Sequence, residues 1–357
     1  MTVGHVRIVG TGLIGTSLGL ALRRLDVTVS LADPSPTAVA LARDLGAGEL
    51  AERVAAAPDL VVVAAPPDVT AAVVADELRH WRDCVVTDVA SVKGSVLEAL
   101  RATGVPLDRY VGSHPMAGRE RSGAVAAEAD LFEGRTWVVV PGPESTPAAV
   151  ELVTGVAASV GAAPVRLAPG EHDEAVAAVS HVPQIVASLV AGRLRDLPAS
   201  AVALSGQGIR DVTRIAASDP LLWTQILAAN APAVRQVLVA LAADLAETVA
   251  ALADLAPGSR ATLARMVAHG NTGHARIPGK HGAEPTAYAT VLVVVPDEPG
   301  ALGRLFQDMG DAGINLEDLR LEHGVGAPFG IAELAVLPAV GERLEDELLA
   351  RGWRVHT

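Results

Sequence analysis

From Val6 to Val140 the chain alternates short aliphatic runs with stretches of helical spacing. The runs Val6–Val9, Thr28–Ala32, Leu60–Ala64, Val85–Asp88, Tyr110–Gly112 and Thr136–Val140 are almost continuously apolar. Parallel strands covered on both faces read this way, because neither side meets water. Strand–helix–strand repetition requires right-handed crossovers. An α/β, doubly wound parallel sheet is therefore expected over residues 1–168.

The texture then changes. Asp173–Leu194 and Ala231–Leu255 have helical periodicity, with shorter helical pieces between them broken by Gly206, Gly208 and Pro220. No strand is predicted, so residues 169–256 are expected to be all-helical. Residues 257–286 are rich in Gly, Pro, His and basic residues. The segment Arg276-Ile-Pro-Gly-Lys-His-Gly282 suits no regular element, so a linker is expected there. The strand signal returns at Tyr288–Val295. A helix at Gly300–Ala312, strands at Ile314–Glu322 and Ile331–Leu337, a helix at Glu342–Arg351 and a short strand at Trp353–Val355 follow. That order, βαββαβ over residues 287–357, is the ferredoxin-like arrangement of a small regulatory domain.

A length of 357 residues accommodates these parts, and 50% hydrophobic residues with only 3% aromatics implies cores built from Ala, Val and Leu. The net charge of −13 without a basic run argues against a nucleic-acid partner. The single cysteine, Cys84, excludes an intramolecular disulfide and fits a reducing cytoplasm. No apolar run reaches about 18 residues without interruption, and no leader pattern precedes the first strand, so neither a membrane span nor a leader is expected.

The first strand ends in Gly10-Thr-Gly12-Leu-Ile-Gly15 and runs into helical Thr16–Arg24. Gly10 suits the tight turn, Gly12 a close backbone approach to a pyrophosphate, and Gly15 close packing of helix on strand. The anion then lies at a helix N-terminus. Asp33 closes the second strand where an acid meets the ribose 2′-hydroxyl, and its carboxylate favours NAD over NADP. Ala64-Ala65-Pro66-Pro67, after the third long strand, lies on the same sheet edge, as the lining of a nucleotide crevice or as an ordinary loop.

Further chemistry clusters in Thr87–Lys93, Ser113–Glu120, His172–Gln184 and Gly206–Trp223. Histidine suits removal of a hydroxyl proton as hydride leaves, and His114, expected in a loop facing the nicotinamide, is the candidate base. Its bland alternative is a loop histidine with a satisfied bond. Arg214 offers bidentate recognition of a carboxylate, with Asp211 one turn earlier to orient it, or it is a surface partner of Asp211. Trp223 reads as core or as pocket wall, and His181 as helix packing or pocket. No spacing resembles a metal site or a serine-hydrolase elbow.

Taken in order, GxGLIGxS at Gly10–Ser17, DVxSVK at Asp88–Lys93, SHPMAG at Ser113–Gly118, HDxxxAxxSHxP at His172–Pro183 and RDxTRIAxSDPxxW at Arg210–Trp223 resemble the prephenate dehydrogenase family, in its actinobacterial form with a C-terminal ACT domain. The resemblance covers essentially the whole chain. It implies a Rossmann-like NAD-binding domain whose Leu13, Ile14, Ala65 and Pro66 touch the cofactor, and a helical domain that makes a homodimer. It implies His114 as proton acceptor, Ser91 as a second contact to the hydroxyl, and Arg214 on a substrate carboxylate. Glu120 becomes a polar gate or makes a water-linked contact, with His172, His181 and Trp223 completing the pocket. One position departs: many members carry a second histidine where this chain has Gln184. A neutral amide accommodates a keto or an amino side chain, which leaves prephenate first and arogenate or an amino-substituted analogue open. In the ACT-like region the turns at Asp297-Glu-Pro299-Gly300 and Gly313-Ile-Asn315 imply an amino-acid ligand such as tyrosine, or a domain kept for dimer stability. Other Rossmann dehydrogenases with a helical second domain, and a non-catalytic sensor, are the remaining alternatives.

Overall fold

The aliphatic runs become strands β1 (His5–Val9), β2 (Thr28–Ala32), β4 (Leu60–Val63), β5 (Val85–Asp88), β6 (Tyr110–Pro115) and β7 (Thr136–Pro141), with shorter β3 (Glu49–Leu50) and β8 (Ala163–Arg166) beside them. They form one sheet in the order β3-β2-β1-β4-β5-β6-β7-β8. The six strands from β3 to β6 are parallel, as the aliphatic pattern requires. The last two depart from it: β7 runs antiparallel to β6, and β8 parallel to β7. The reason is local. A parallel return needs a crossover of a dozen or more residues, usually a helix. The described part of the β6–β7 connection holds a single 3₁₀ turn, Ala124–Ala126, and no crossover helix.

Helices α1 (Leu13–Arg23), α2 (Pro36–Asp44), α3 (Pro67–His80), α4 (Gly94–Ala102) and α5 (Pro147–Ser159) cover the sheet. One core holds Ile8, Leu18, Leu31, Phe132 and Val139, and another Val63, Val74, Val86 and Leu100, all fully or almost fully buried.

After β8 the chain is helical. The computed structural model describes residues 3–118, 123–253, 257–278, 288–323 and 328–356. Helix α6 (Pro169–Val176) continues through a wider π-helical turn, Ala177–His181, into α7 (Val182–Leu194). The expected single helix is thus present, starts earlier, and is rewound where its polar residues cluster. Such π-turns concentrate at functional sites. Then come α8 (Ala199–Val202), α9 (Gln207–Thr213), α10 (Pro220–Ala229) and α11 (Ala231–Ala253). The chain divides into two compact units, Met1–Ala243 and Asp244–Thr357, so α6 to α10 share a unit with the sheet.

Two helical spans, Pro169–Leu194 and Ala231–Ala253, are long and apolar enough by composition to cross a membrane, although polar residues interrupt both. The first carries buried His172 and Asp173, bonded to groups of the sheet unit. In the second, Leu241, Leu245, Val249 and Leu252 are exposed at spacings of four, four and three. That is an apolar stripe down one helix face.

The expected linker is corrected in part. Residues Ser259–His274 form a sixteen-residue helix, α12. Its Ala, Leu, Arg and Met content favours helix, and Gly258, at φ +102°, makes the left-handed turn that starts it. The segment Arg276–Gly282 remains outside regular structure as far as it is described. The second unit ends in β9 (Ala289–Pro296), α13 (Ala301–Asp311), β10 (Asp318–His323), β11 (Phe329–Val336), α14 (Gly341–Ala350) and β12 (Arg354–His356). Its antiparallel sheet runs β10-β11-β9-β12, over a core that includes Val293, Leu305, Leu334, Leu344 and Leu348. The βαββαβ order read from the sequence is therefore the order of the folded elements.

Candidate functional site

All the parallel strands end on one edge of the sheet, and doubly wound folds bind ligands there. At β1 that edge is the glycine turn. A Cβ on Gly10 would lie 2.3 Å from the Ala64 carbonyl oxygen, and one on Gly15 would lie 2.0 Å from that of Gly10. Neither position admits a side chain without moving backbone. Around Gly12 nothing lies within 4 Å of the corresponding point, so the face of the turn at the start of α1 is open. Asp33 is built into this turn. Its Oδ2 accepts the Thr11 N–H (2.7 Å) and hydroxyl (2.9 Å), and its Oδ1 accepts the Ser35 N–H (2.8 Å). A carboxylate has about four acceptor sites, so room for a further hydroxyl remains. The cradle fits a dinucleotide: a close-packed turn, an open helix N-terminus and an oriented acid. Leu13 and Ile14 pack partly against the core below it, as does Ala65, and Pro66 caps α3.

At the ends of β5 and β6 the chemistry is denser. Asp88 is fully buried. It accepts from the Lys93 ammonium, the Tyr110 hydroxyl (2.7 Å) and the Ala90 N–H (2.9 Å). Lys93 also donates to the Ser113 carbonyl at 2.8 Å. Burial lowers the Lys93 ammonium below its ordinary range against the pull of Asp88, and burial beside Asp88 raises the Tyr110 hydroxyl well above its own. Breaking such a buried pair from one side leaves an uncompensated charge, at roughly 3–5 kcal/mol. The pair therefore locks the β5 and β6 ends together.

His114 stands at the end of β6, opposite Val138 of β7, and not in a loop as the sequence suggested. The antiparallel partner extends β6 to Pro115. Its Nδ1 meets His172 Nε2 at 3.0 Å, and His172 Nδ1 meets Asp173 Oδ1 at 2.8 Å. Burial, then His172, Lys93 and His181, push His114 well below the usual histidine value, so it is neutral near pH 7. Ser91 is half-buried, and its hydroxyl is uncommitted among the described residues. His181 approaches Asn230 Nδ2 through Nδ1 (3.1 Å) and meets Trp223 edge-on at 6.1 Å between ring centroids. Gln184 is buried between Ser188 and Ser218, at 3.3 and 3.4 Å.

Residues 18–166 match the prephenate dehydrogenase nucleotide-binding domain, and residues 168–266 match the prephenate dehydrogenase dimerization domain. A probable prephenate dehydrogenase of Streptomyces niveus, NovF, is 38% identical over 97% of this chain and 98% of its own length. A cyclohexadienyl dehydrogenase of Zymomonas mobilis is 33% identical over 70% of this chain and 88% of its own. The chain belongs to the prephenate dehydrogenase family. The prephenate dehydrogenase of A. aeolicus, solved with hydroxyphenyl propionate and NAD⁺, superposes with a TM-score of 0.67 at 27% identity, over 77% of this chain and 99% of that one. The protein is an NAD-dependent dehydrogenase.

Within this dehydrogenase, His114, His172, His181 and Trp223 are linked, directly or through Asp173 and Asn230, in one network, while Gln184 bonds Ser188 and Ser218 apart from it. Arg214 is exposed and lies outside the helix that should have carried it. Helix α9 stops at Thr213, and Arg214 opens a 3₁₀ turn. The expected pairing with Asp211 is corrected: Asp211 accepts from Gln207 at 2.7 Å, one helical turn earlier. Glu120 lies outside the described residues. In the second unit, Pro299 and Gly300 are exposed at the start of α13, and Asn315 bonds Glu317 at 3.0 Å.

Sequence reasoning named Asp88 and Lys93 only as motif letters and missed the parts played by Asp173, Tyr110 and Asn230. The signal for Asn230 was its position as the polar break between two apolar helices, α10 and α11. For Asp173 it was the unbroken His-Asp pair.

These buried histidines set a pH dependence. Burial lowers His181 from 6.5 to about 4. The unfolded chain therefore binds protons that the folded chain refuses, so stability is whole above about pH 6.5 and declines as pH falls towards 4. Asp173, where the His172 and backbone bonds overcome the upward push of burial, acts only below its usual 3.8. The denaturant midpoint should fall between pH 7 and 4.5, and His181→Gln should flatten that slope. An equal slope in the variant would remove His181 as its source.

Proposed function

We propose that the protein carries out oxidative decarboxylation of prephenate to 4-hydroxyphenylpyruvate, on the route to tyrosine, in the cytoplasm. The observation that carries this reading is the neutral His114 at the sheet edge that also holds the dinucleotide turn, with the Ser91 loop on the neighbouring strand. Held at the Gly10–Gly15 turn, NAD would supply the hydride acceptor for ring C4. His114 accepts the hydroxyl proton at Nε2, and Ser91 holds that hydroxyl. Arg214 meets a carboxylate, while His172, His181, Trp223, Asp211 and Glu120 line the pocket. The ring carboxylate leaves as CO₂ and its electron pair completes the aromatic ring. Leu13, Ile14, Ala65 and Pro66 flank the cofactor, and Asp33 takes the ribose hydroxyl.

A second reading, arogenate or an amino-substituted analogue, is favoured by Gln184. Held between two serines, its amide offers both donor and acceptor to a keto or amino side chain. We assign residues 1–168 to the cofactor domain, 169–256 to the helical domain and 287–357 to an ACT regulatory domain. A cavity of about 140 Å³ beside Asp297, Glu298, Gly300 and Leu321 supports an amino-acid ligand there, with tyrosine expected. The apolar stripe of α11, in a region that matches a dimerization domain, supports a homodimer.

NADH formation with prephenate against arogenate tests the reading directly. Prephenate should turn over faster, and His114→Asn should lose at least a hundredfold in kcat, within the about 10²–10⁴ of a general base, with NAD affinity near normal. A variant at wild-type rate removes His114 as the base. A preference for arogenate keeps the chemistry and moves the substrate. Asp33→Ala should relax cofactor preference towards NADP, measured as the ratio of kcat/KM values. An unchanged ratio removes Asp33 as the ribose acid. Leu245→Glu should convert the dimer to monomer in light scattering, and a dimer that survives it points to another face.

A further inference from the structure

We infer that Asp173 fixes the tautomers of two histidines in series, so that His114 presents a bare Nε2 to the substrate. The inference rests on the reading of His114 as the proton acceptor.

An ionised carboxylate only accepts hydrogen bonds. His172 Nδ1 faces Asp173 Oδ1 at 2.8 Å, so that nitrogen must carry the proton. In the neutral ring the other nitrogen, Nε2, is then an acceptor. His114 Nδ1 lies 3.0 Å from it and must donate. With its proton on Nδ1, the neutral His114 ring leaves Nε2 unprotonated. His114 is partly exposed, and Nε2 makes no hydrogen bond among the described residues. The base lone pair is thus dictated from two rings away. A histidine side chain in water places its proton mainly on Nε2, which would leave His114 unable to act as a base there.

The carboxylate is itself held by more than histidine. Oδ1 also accepts the Lys93 N–H (2.9 Å) and Oδ2 accepts the Gly94 N–H (2.8 Å). Those are the first amides of α4, where the helix dipole favours an anion. The same hydrogen bonds outweigh burial and keep Asp173 ionised. Gly94 makes the approach feasible: a Cβ there would lie 2.8 Å from Oδ2. Asp173 and His172 are positioning residues in this arrangement. On taking the substrate proton, His114 becomes a cation whose Nδ1–H still points at His172 Nε2, so the series needs no rearrangement during turnover.

The test reads the tautomer directly, in full-length protein without substrate. Solid-state nitrogen spectra of histidine-labelled protein separate protonated from unprotonated ring nitrogens, and His114→Asn and His172→Gln assign the signals by their loss. Wild type should show His114 protonated on Nδ1 and bare on Nε2. Asp173→Asn, which places an amide against His172, and Gly94→Ala, which pushes the carboxylate away, should each move the His114 proton to Nε2 in part or whole. Their kcat should fall at least tenfold with KM and NAD affinity changed less than threefold. A wild-type His114 with its proton on Nε2 overturns the inference, as does a tautomer unmoved in whichever of the two variants folds. If prephenate and arogenate both fail to turn over while the Nδ1 tautomer is found, the functional reading fails and the tautomer series stands.

Discussion

One buried carboxylate organises the site. Asp173 sits on α6, caps the first turn of α4, orients His172, and through its backbone carbonyl accepts from Asn230 at the start of α11. Three helices distant in sequence meet at that residue, and the Ser91 loop leads directly into the helix it caps. An unpaired carboxylate in this place would cost several kcal/mol. It is retained because both of its oxygens are hydrogen-bonded: two amides and an imidazole donate to them, with the α4 dipole behind. The histidine chemistry at β6 depends on that fixed charge.

Asp88 solves the neighbouring problem differently. Its charge is closed by Lys93, and the remaining contacts go to Tyr110 and a backbone amide. The pair is neutral as a unit, buried and held, so it shapes the end of β6 and does not attract ligand. Arg214, on its 3₁₀ turn, is by contrast a cation at the surface. In a chain of net charge −13 the Asp88–Lys93 pair thus adds no net charge beside the histidines. That pair serves geometry, tying the end of β5 to the end of β6.

The legibility of this fold follows from how far apart the interacting residues lie. Strands β1, β2, β4 and β5 announce themselves because burial on both faces demands unbroken aliphatic runs, and the glycine turn because steric exclusion at Gly10 and Gly15 leaves no other residue. The βαββαβ order of the second unit is equally local. What could not be read was created by pairing. His114 became a strand residue only because β7 returned antiparallel beside β6. Arg214 left its helix because α9 stopped a residue earlier, and Asp211 then found Gln207. Helix α12 was hidden by Gly and His residues that depress helix propensity without abolishing it.

The π-turn at Ala177–His181 connects these two levels. In an uninterrupted α-helix, residues nine apart, such as His172 and His181, are separated by two and a half turns and lie on opposite faces. A π-turn adds a residue to the winding and rotates everything beyond it by about a hundred degrees. His181 thereby reaches Asn230, the same amide that accepts no charge but donates to the Asp173 carbonyl. The sequence motif His-Asp followed by Ser-His-Val-Pro carries this rewinding implicitly, since Pro183 lacks the N–H that a continuous helix would use. The spacing that looked helical was in truth set by the need for two histidines, one helix and one asparagine to share a single buried junction.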